Sequence, residues 1–153
     1  MDTCNKKPRE SSNDRKEILL VDDNWMVGNV ECEILAHLGY QVDFKTDPME
    51  ALDHFQHKKL NFDLVITDMD MPIMTGDRLA LEIMKIRKNI PIVMCTGSDI
   101  NFTKEEAAQM GIKAVIMKPL IINELREILQ QIIEASGENT PNARKRHEKY
   151  SGH

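Results

Sequence analysis

Four apolar runs in this 153-residue chain stop at residues able to do chemistry. Ile18 to Val21 is followed by Asp22 and Asp23, Leu64 to Thr67 by Asp68, Ile92 to Cys95 by Thr96, and Ala114 to Met117 by Lys118. Brought to one place, they supply three carboxylates, a hydroxyl and an ammonium. Carboxylates within a few ångströms of one another repel and rise in pKa unless a cation neutralises them. Mg²⁺ is the natural answer. It takes oxygen ligands, keeps several waters and uses one or two carboxylates together with phosphate oxygens, so a small open cluster suits it better than Zn²⁺. Lys118 adds a cation for an incoming anion, and Thr96 adds a neutral donor. Metal, lysine and hydroxyl can together neutralise the equatorial oxygens of a transferring phosphoryl group. One carboxylate is then left as nucleophile, since Asp and Glu form acyl phosphates in such sites.

These residues meet only if the four runs are strands of one parallel sheet. Helical patterns lie between the runs, which makes them successive strands of βαβ units, and right-handed crossovers bring all the carboxyl ends to one side. Open α/β sheets bind their ligands at that edge. After the first run, Met26, Val27, Val30, Ile34, Leu35 and Leu38 recur at helical spacing and Gly39 closes the pattern. Tyr40 to Lys45 alternates as a second, edge-type strand. Asp47 before Pro48 is an N-cap with a first-turn proline, opening a helix that buries Ala51, Leu52 and Phe55. A loop with Met71, Pro72 and Gly76 precedes a third helix carrying Leu79, Ala80, Ile83, Met84 and Ile86 on its core side. Thr103 with Glu106 forms a capping box for a short fourth helix that stops at Gly111, and Leu125, Ile128, Leu129, Ile132 and Ile133 mark the fifth.

The length allows one domain, and 41% hydrophobic residues is ordinary for a soluble globular protein. Residues 1–15 read as a disordered lead-in, 16–135 as the folded unit and 136–153 as a flexible polar tail. Residues 18–137 carry eleven Lys/Arg against nineteen Asp/Glu, so the folded part lacks the basic footprint of a nucleic-acid binder. The run Arg144, Lys145, Arg146, His147 reads as solvated tail. Cys4, Cys32 and Cys95 form no CxxC pair or metal spacing, and their odd number reads as free thiols in a reducing compartment. No signal peptide and no apolar run near the roughly 18 residues of a membrane span are present, which points to the cytoplasm. Trp25 and the scattered methionines are expected to pack in the core or in loops, with Met69, Met71 and Met74 able to offer a soft surface near the site.

The spans Ile18–Asp23 (ILLVDD), Leu64–Gly76 (LVITDMDMPIMTG), Ile92–Thr96 (IVMCT) and Ala114–Pro119 (AVIMKP) resemble the receiver domain of two-component response regulators, over roughly residues 16–135. A lone DD or KP is common by chance; the ordered set is not. The resemblance implies a doubly wound, flavodoxin-like α/β fold with five parallel strands in the order 2-1-3-4-5. It places the phosphoacceptor on Asp68 and the Mg²⁺ ligands on Asp22, acting mainly through water, Asp23, Asp68 and the backbone carbonyl of Asp70. Thr96 matches the hydroxyl that follows the phosphoryl group and Lys118 the site lysine, with Pro119 after a peptide bond that is cis in the family. A receiver takes its phosphoryl group from a phosphohistidine of a sensor kinase or phosphotransfer protein and hydrolyses it slowly. It is a relay component rather than an enzyme. The expected output runs through a downstream protein target, with no membrane segment and with no DNA-binding domain, because only 18 residues follow Ala135. A phosphorylation-dependent homodimer is left open.

Departures from the family pattern are Val115, where many receivers carry an aromatic switch residue, acidic Asp70, Gly97 after Thr96, and Ile121 at the usual cap of the last helix, which is therefore expected to start at Asn123. The rival reading is a haloacid-dehalogenase-type phosphatase, since Asp68-Met69-Asp70 also fits a D-x-D nucleophile motif. Such enzymes place an acidic pair after the lysine, whereas here the pair lies on the first strand and Glu124, Glu127 and Glu134 follow on a helix.

Overall fold

Strands and helices alternate strictly in the computed structural model, which describes residues 15–58, 61–97 and 102–138. The order is β1 (Glu17–Val21), α1 (Trp25–His37), β2 (Gln41–Lys45), α2 (Pro48–His57), β3 (Leu64–Asp68), α3 (Gly76–Ile86), β4 (Ile92–Thr96), α4 (Lys104–Met110), β5 (Ala114–Met117) and α5 (Ile122–Glu138). The strands form one sheet in the order β2-β1-β3-β4-β5, every pairing parallel. This is the expected flavodoxin-like arrangement. The expected lead-in and tail lie outside the described residues, except for Arg15 and the end of α5.

Local chemistry sets the helix ends. The Asp47 side chain accepts from Met49 N at 2.9 Å ahead of Pro48, and the Thr103 hydroxyl accepts from Glu106 N at 3.0 Å. Gly111 ends α4 at a φ of 95°, a left-handed conformation that a residue with a Cβ adopts only at a cost. At α5 the Ile121 carbonyl accepts the Leu125 N–H at 2.9 Å, and the helix begins at Ile122 rather than at Asn123. Asn123 lies inside the first turn, where its side chain accepts from Arg126. Backbone bonding carries this start without a side-chain cap.

Alternation along the strands splits the interior in two. Leu19, Val21, Val65, Ile92 and Met94 face α2, α3 and α4, packing on Phe55, Leu79, Ile83 and Ala107. Ile18, Leu20, Leu64, Ile66, Val93 and Cys95 face α1 and α5, packing on Cys32, Leu35, Leu125 and Leu129. Both sheet faces are thus covered, as the nearly continuous apolar strands require.

Helix α1 packs Ile34, Leu35 and Leu38 against the core as its apolar spacing announces, but its N-terminal half buries a different stripe. Gly28, Glu31, Cys32 and Leu35, at i, i+3, i+4 and i+7, face the sheet. Trp25, Met26, Val27 and Val30 are exposed, Met26 at 72%, although the last three recur at the spacing of a core-facing stripe. The reason is a close approach. A Cβ at residue 28 would lie 2.2 Å from the Phe44 ring, so the glycine lets α1 settle onto β2 and favours this rotation of the helix. The thiols are corrected in part as well: Cys95 is free and buried, but Cys32 is disulfide-bonded. An odd count guarantees one thiol left over, not three. Cys4 lies outside the described residues.

The loop from β3 to α3 folds back tightly. Gly76 N donates to Met69 O at 2.9 Å, and a Cβ on Gly76 would stand 2.2 Å from the backbone oxygen of Asp68 and 2.8 Å from Met94 Sδ. Within the loop Met74 N reaches Pro72 O at 2.7 Å, leaving Ile73 at a φ of 74° with 83% of its surface exposed. Beside Gly97, by contrast, a Cβ would meet nothing within 4 Å. Gly76→Ala should therefore cost about 2 to 3 kcal/mol in urea unfolding, because the obstructing atom is backbone. Gly97→Ala should stay within about 0.5 kcal/mol of the wild type. Equal stabilities for the two variants would contradict this packing.

Candidate functional site

Five strand-end residues converge because the strands run the same way. The β1–β3 register pairs Leu20 with Ile66 and Val21 with Thr67, so one further step sets Asp22 beside Asp68. Asp68 pairs with Cys95, which places Thr96 one residue beyond it on β4. Lys118 follows β5, and its backbone N–H donates to Thr96 O at 2.9 Å, tying the last two elements together at this edge. The Lys118–Pro119 peptide bond is cis, as the resemblance implied.

Asp22, Asp23 and Asp68 each bring a carboxylate oxygen to within 4.8 Å of the others. Asp22 is 1% exposed and Asp68 8%, while Asp23 faces solvent. Lys118 Nζ donates to Asp22 Oδ2 at 2.6 Å and lies 3.3 Å from Asp68 Oδ1. The other Asp22 oxygen accepts from Asn24 N at 2.9 Å, and the Asn24 side chain caps α1 through Val27 N. The start of the helix therefore holds one carboxylate in place. Thr96 is buried at the same edge. Asp70 does not belong to the carboxylate group and its side chain is exposed, which leaves its backbone carbonyl as its ligand candidate.

A further acid reaches the same ammonium. Glu31 Oε2 lies 3.6 Å from Lys118 Nζ, and the residue is 5% exposed. The sequence reading missed it, although a signal was present: Glu31 stands three residues after Gly28 and four before Leu35, inside the stripe that faces the sheet.

The electrostatics follow from burial of like charges. Burial pushes the Asp68 carboxyl up to about 6; Lys118 opposes the rise, and Asp22 and Asp23 add to it. Burial likewise pushes Glu31 up to about 7, with Lys118 opposing and Asp22 and Asp68 adding. For Lys118 burial alone would lower the pKa, yet Asp22, Glu31 and Asp68 together carry it above the usual lysine value, so the ammonium stays charged. Burial raises the Cys95 thiol, the first of its causes, and keeps it protonated and unreactive. Oxygen donors in excess over one cation fit a hard divalent ion such as Mg²⁺, which would hold to Asp22, Asp23 and Asp68.

Several apolar side chains of the segments that follow the strands are exposed alongside Asp23 and Asp70. Trp25, Met26 and Val30 at the start of α1, Ile73 after β3, and Met117 and Ile121 beside Lys118 are all exposed. Val115 is half-buried and packs into the core on the α2–α4 side. Among the described residues no helix is long and apolar enough to cross a membrane.

Comparison with known proteins agrees with this geometry. A family model described as "Response regulator receiver domain" matches residues 18–130. The two-component response regulator ARR12 of Arabidopsis thaliana is 31% identical over 119 residues, covering 77% of this chain. The chain spans only 20% of that relative's length. Among solved structures, a CheY-like response regulator receiver domain protein from Methanospirillum hungatei JF-1 superposes with a TM-score of 0.75 at 26% identity, covering 82% of this chain and 99% of that one. The receiver domain of the sensor histidine kinase PA1611 from Pseudomonas aeruginosa PAO1, solved with magnesium coordinated in its active-site cleft, gives 0.69 at 29% identity, covering 78% and 98%. Nothing in these matches supports the haloacid-dehalogenase-type alternative. With the strand order, the clustered acids and lysine, and a family match across most of the described chain, the protein belongs to the response regulator receiver family, whose domains act in phosphorelay signalling.

Proposed function

We propose that this chain accepts a phosphoryl group on Asp68 from a phosphohistidine of a sensor kinase or histidine phosphotransfer protein. The observation that carries the reading is the convergence of Asp22, Asp23, Asp68 and Lys118 within a receiver-family fold. In the transfer an Asp68 carboxylate oxygen forms a bond to phosphorus, the N–P bond of the donor breaks, and the histidine nitrogen keeps the electron pair. Asp22, Asp23, Asp68 and the Asp70 backbone carbonyl would hold Mg²⁺, which when bound supplies positive charge against the carboxylates and the phosphoryl oxygens. Lys118 Nζ, 3.3 Å from Asp68 Oδ1, would pair with one phosphoryl oxygen, and the Thr96 hydroxyl would donate to another. Proton transfer demands little of the protein; positioning and charge are most of what this chemistry needs.

The folded unit at 16–135 is read as the whole phosphoryl-accepting module, working in the cytoplasm and passing its state on by protein contacts rather than by a reaction of its own. The exposed apolar rim of Trp25, Met26, Val30, Ile73, Met117 and Ile121 supports partner contact at the site edge.

Acetyl phosphate with Mg²⁺ should add one phosphoryl group to the wild type and none to Asp68→Asn, read by intact-protein mass spectrometry. Equal labelling of the two would sink the assignment. Charge at the site also makes a statement about pH. Asp68 and Glu31 rise in the fold from ordinary values of 3.8 and 4.5 to about 6 and about 7. Their contribution to stability is thus present below the ordinary values and is lost as pH rises through the folded ones. In chelator the thermal midpoint should fall by about 5 °C between roughly pH 5 and pH 8, and saturating Mg²⁺ should remove most of that fall. A metal-free midpoint that climbs over this interval would contradict the electrostatics.

A further inference from the structure

Glu31 is a buried acid to which the transfer of a phosphoryl group assigns no task. It reaches the site from α1, whereas Asp22 and Asp68 reach it from the sheet, and all three carboxylates lie within 4 Å of one ammonium. The rest of its stripe, Gly28, Cys32 and Leu35, offers no polar partner by residue type. Burying a carboxylate without a cation costs several kcal/mol, so Lys118 is what permits a charged glutamate here, while a side-chain hydrogen bond with Asp22 favours its protonated form. The relation is mutual. A carboxylate 3.6 Å from the ammonium pulls it toward α1, in addition to the closer hold of Asp22 at 2.6 Å, and adds negative charge near any anion that arrives at Asp68.

We propose that Glu31 is a positioning residue for Lys118, holding its ammonium back so that the site grips a phosphoryl group less tightly while gripping Mg²⁺ more tightly. The proposal rests on Asp68 being the phosphoacceptor. Its two effects have opposite signs because the ligands do: an added negative charge attracts a cation and repels an anion through the same low-dielectric surroundings. Loss of packing around α1 would weaken both ligands together. The opposition of sign therefore separates a role toward Lys118 from a purely structural one.

The test uses the full chain with two variants, Glu31→Gln, which keeps the shape and removes the charge, and Glu31→Met, which keeps the length and removes the polar atoms. Calorimetric titration with Mg²⁺ alone, and then with beryllofluoride at saturating Mg²⁺ as a probe of phosphoryl binding, gives the two affinities in mildly alkaline buffer. Both variants should bind Mg²⁺ more weakly and beryllofluoride more tightly, each by a factor on the order of tenfold. Should the glutamine variant not fold, the methionine variant carries the same comparison. Parallel weakening of both ligands, or unchanged affinity for beryllofluoride, overturns the role of Glu31 and leaves the phosphoacceptor reading standing, provided the wild type binds the probe. A wild type that binds no beryllofluoride with Mg²⁺ overturns both.

Discussion

One ammonium stands between three buried or nearly buried carboxylates: Lys118 Nζ is 2.6 Å from Asp22, 3.3 Å from Asp68 and 3.6 Å from Glu31. Removing charges from water costs several kcal/mol per ion, and mutual attraction offsets this only where the geometry is close and the remaining oxygens find donors. Both conditions are met here. Asn24 N satisfies the second oxygen of Asp22, and among the described residues no buried side-chain polar atom lacks a partner. The other contacts at this edge can be understood as what keeps Lys118 and its acids in register. Take away the cation and a carboxylate cluster at the end of a dry sheet has no reason to hold together.

The register comes from the backbone. Parallel pairing of β1 with β3 and of β3 with β4 sets Asp22, Asp68 and Thr96 side by side without any side chain having to choose a position. Met69 N donates to Cys95 O at 2.8 Å and Lys118 N to Thr96 O at 2.9 Å, so the ladder continues just past the strands and stiffens the residues that follow them. Gly76 completes the frame by bringing the loop after β3 back against the Asp68 carbonyl. A site built this way is positioned by hydrogen bonds that any sequence with these strands would make; its chemistry resides in five side chains.

That division explains what was legible in the sequence. Strand ends were readable because each apolar run stops abruptly at a polar residue, and the caps at Asp47, Thr103 and Gly111 were readable because each uses a residue whose local chemistry fits little else. Helix α1 was not. Its exposed Met26, Val27 and Val30 imitate a core stripe, while the true stripe includes a glycine and a glutamate, residues that apolar periodicity discounts. The close approach of Gly28 to the Phe44 ring, across more than a dozen residues of chain, favours this rotation, and single-sequence spacing does not reveal it. Glu31 was hidden by the same error. The disulfide on Cys32 escaped because counting cysteines constrains parity, not pairing.

The sheet also partitions the molecule's freedom to change. Because the α1–α5 core and the α2–α4 core lie on opposite faces of the strands and form separate clusters, their side chains do not share holes to fill. Substitutions in groups that share no partners combine additively to within roughly 0.3 to 0.5 kcal/mol. A lineage can therefore repack one half while the other keeps its fit, and variation in Leu79 or Ile83 need not wait on compensating variation in Leu35 or Leu129. Asp22 and Asp68 continue the alternation of Ile18, Leu20, Leu64 and Ile66 and so belong with the α1–α5 half, whereas Asp23 continues that of Leu19 and Val21. The core of the opposite half can thus be remodelled with little effect on Asp22, Asp68 and Lys118, except where Met94 meets Gly76 at the turn behind Asp68.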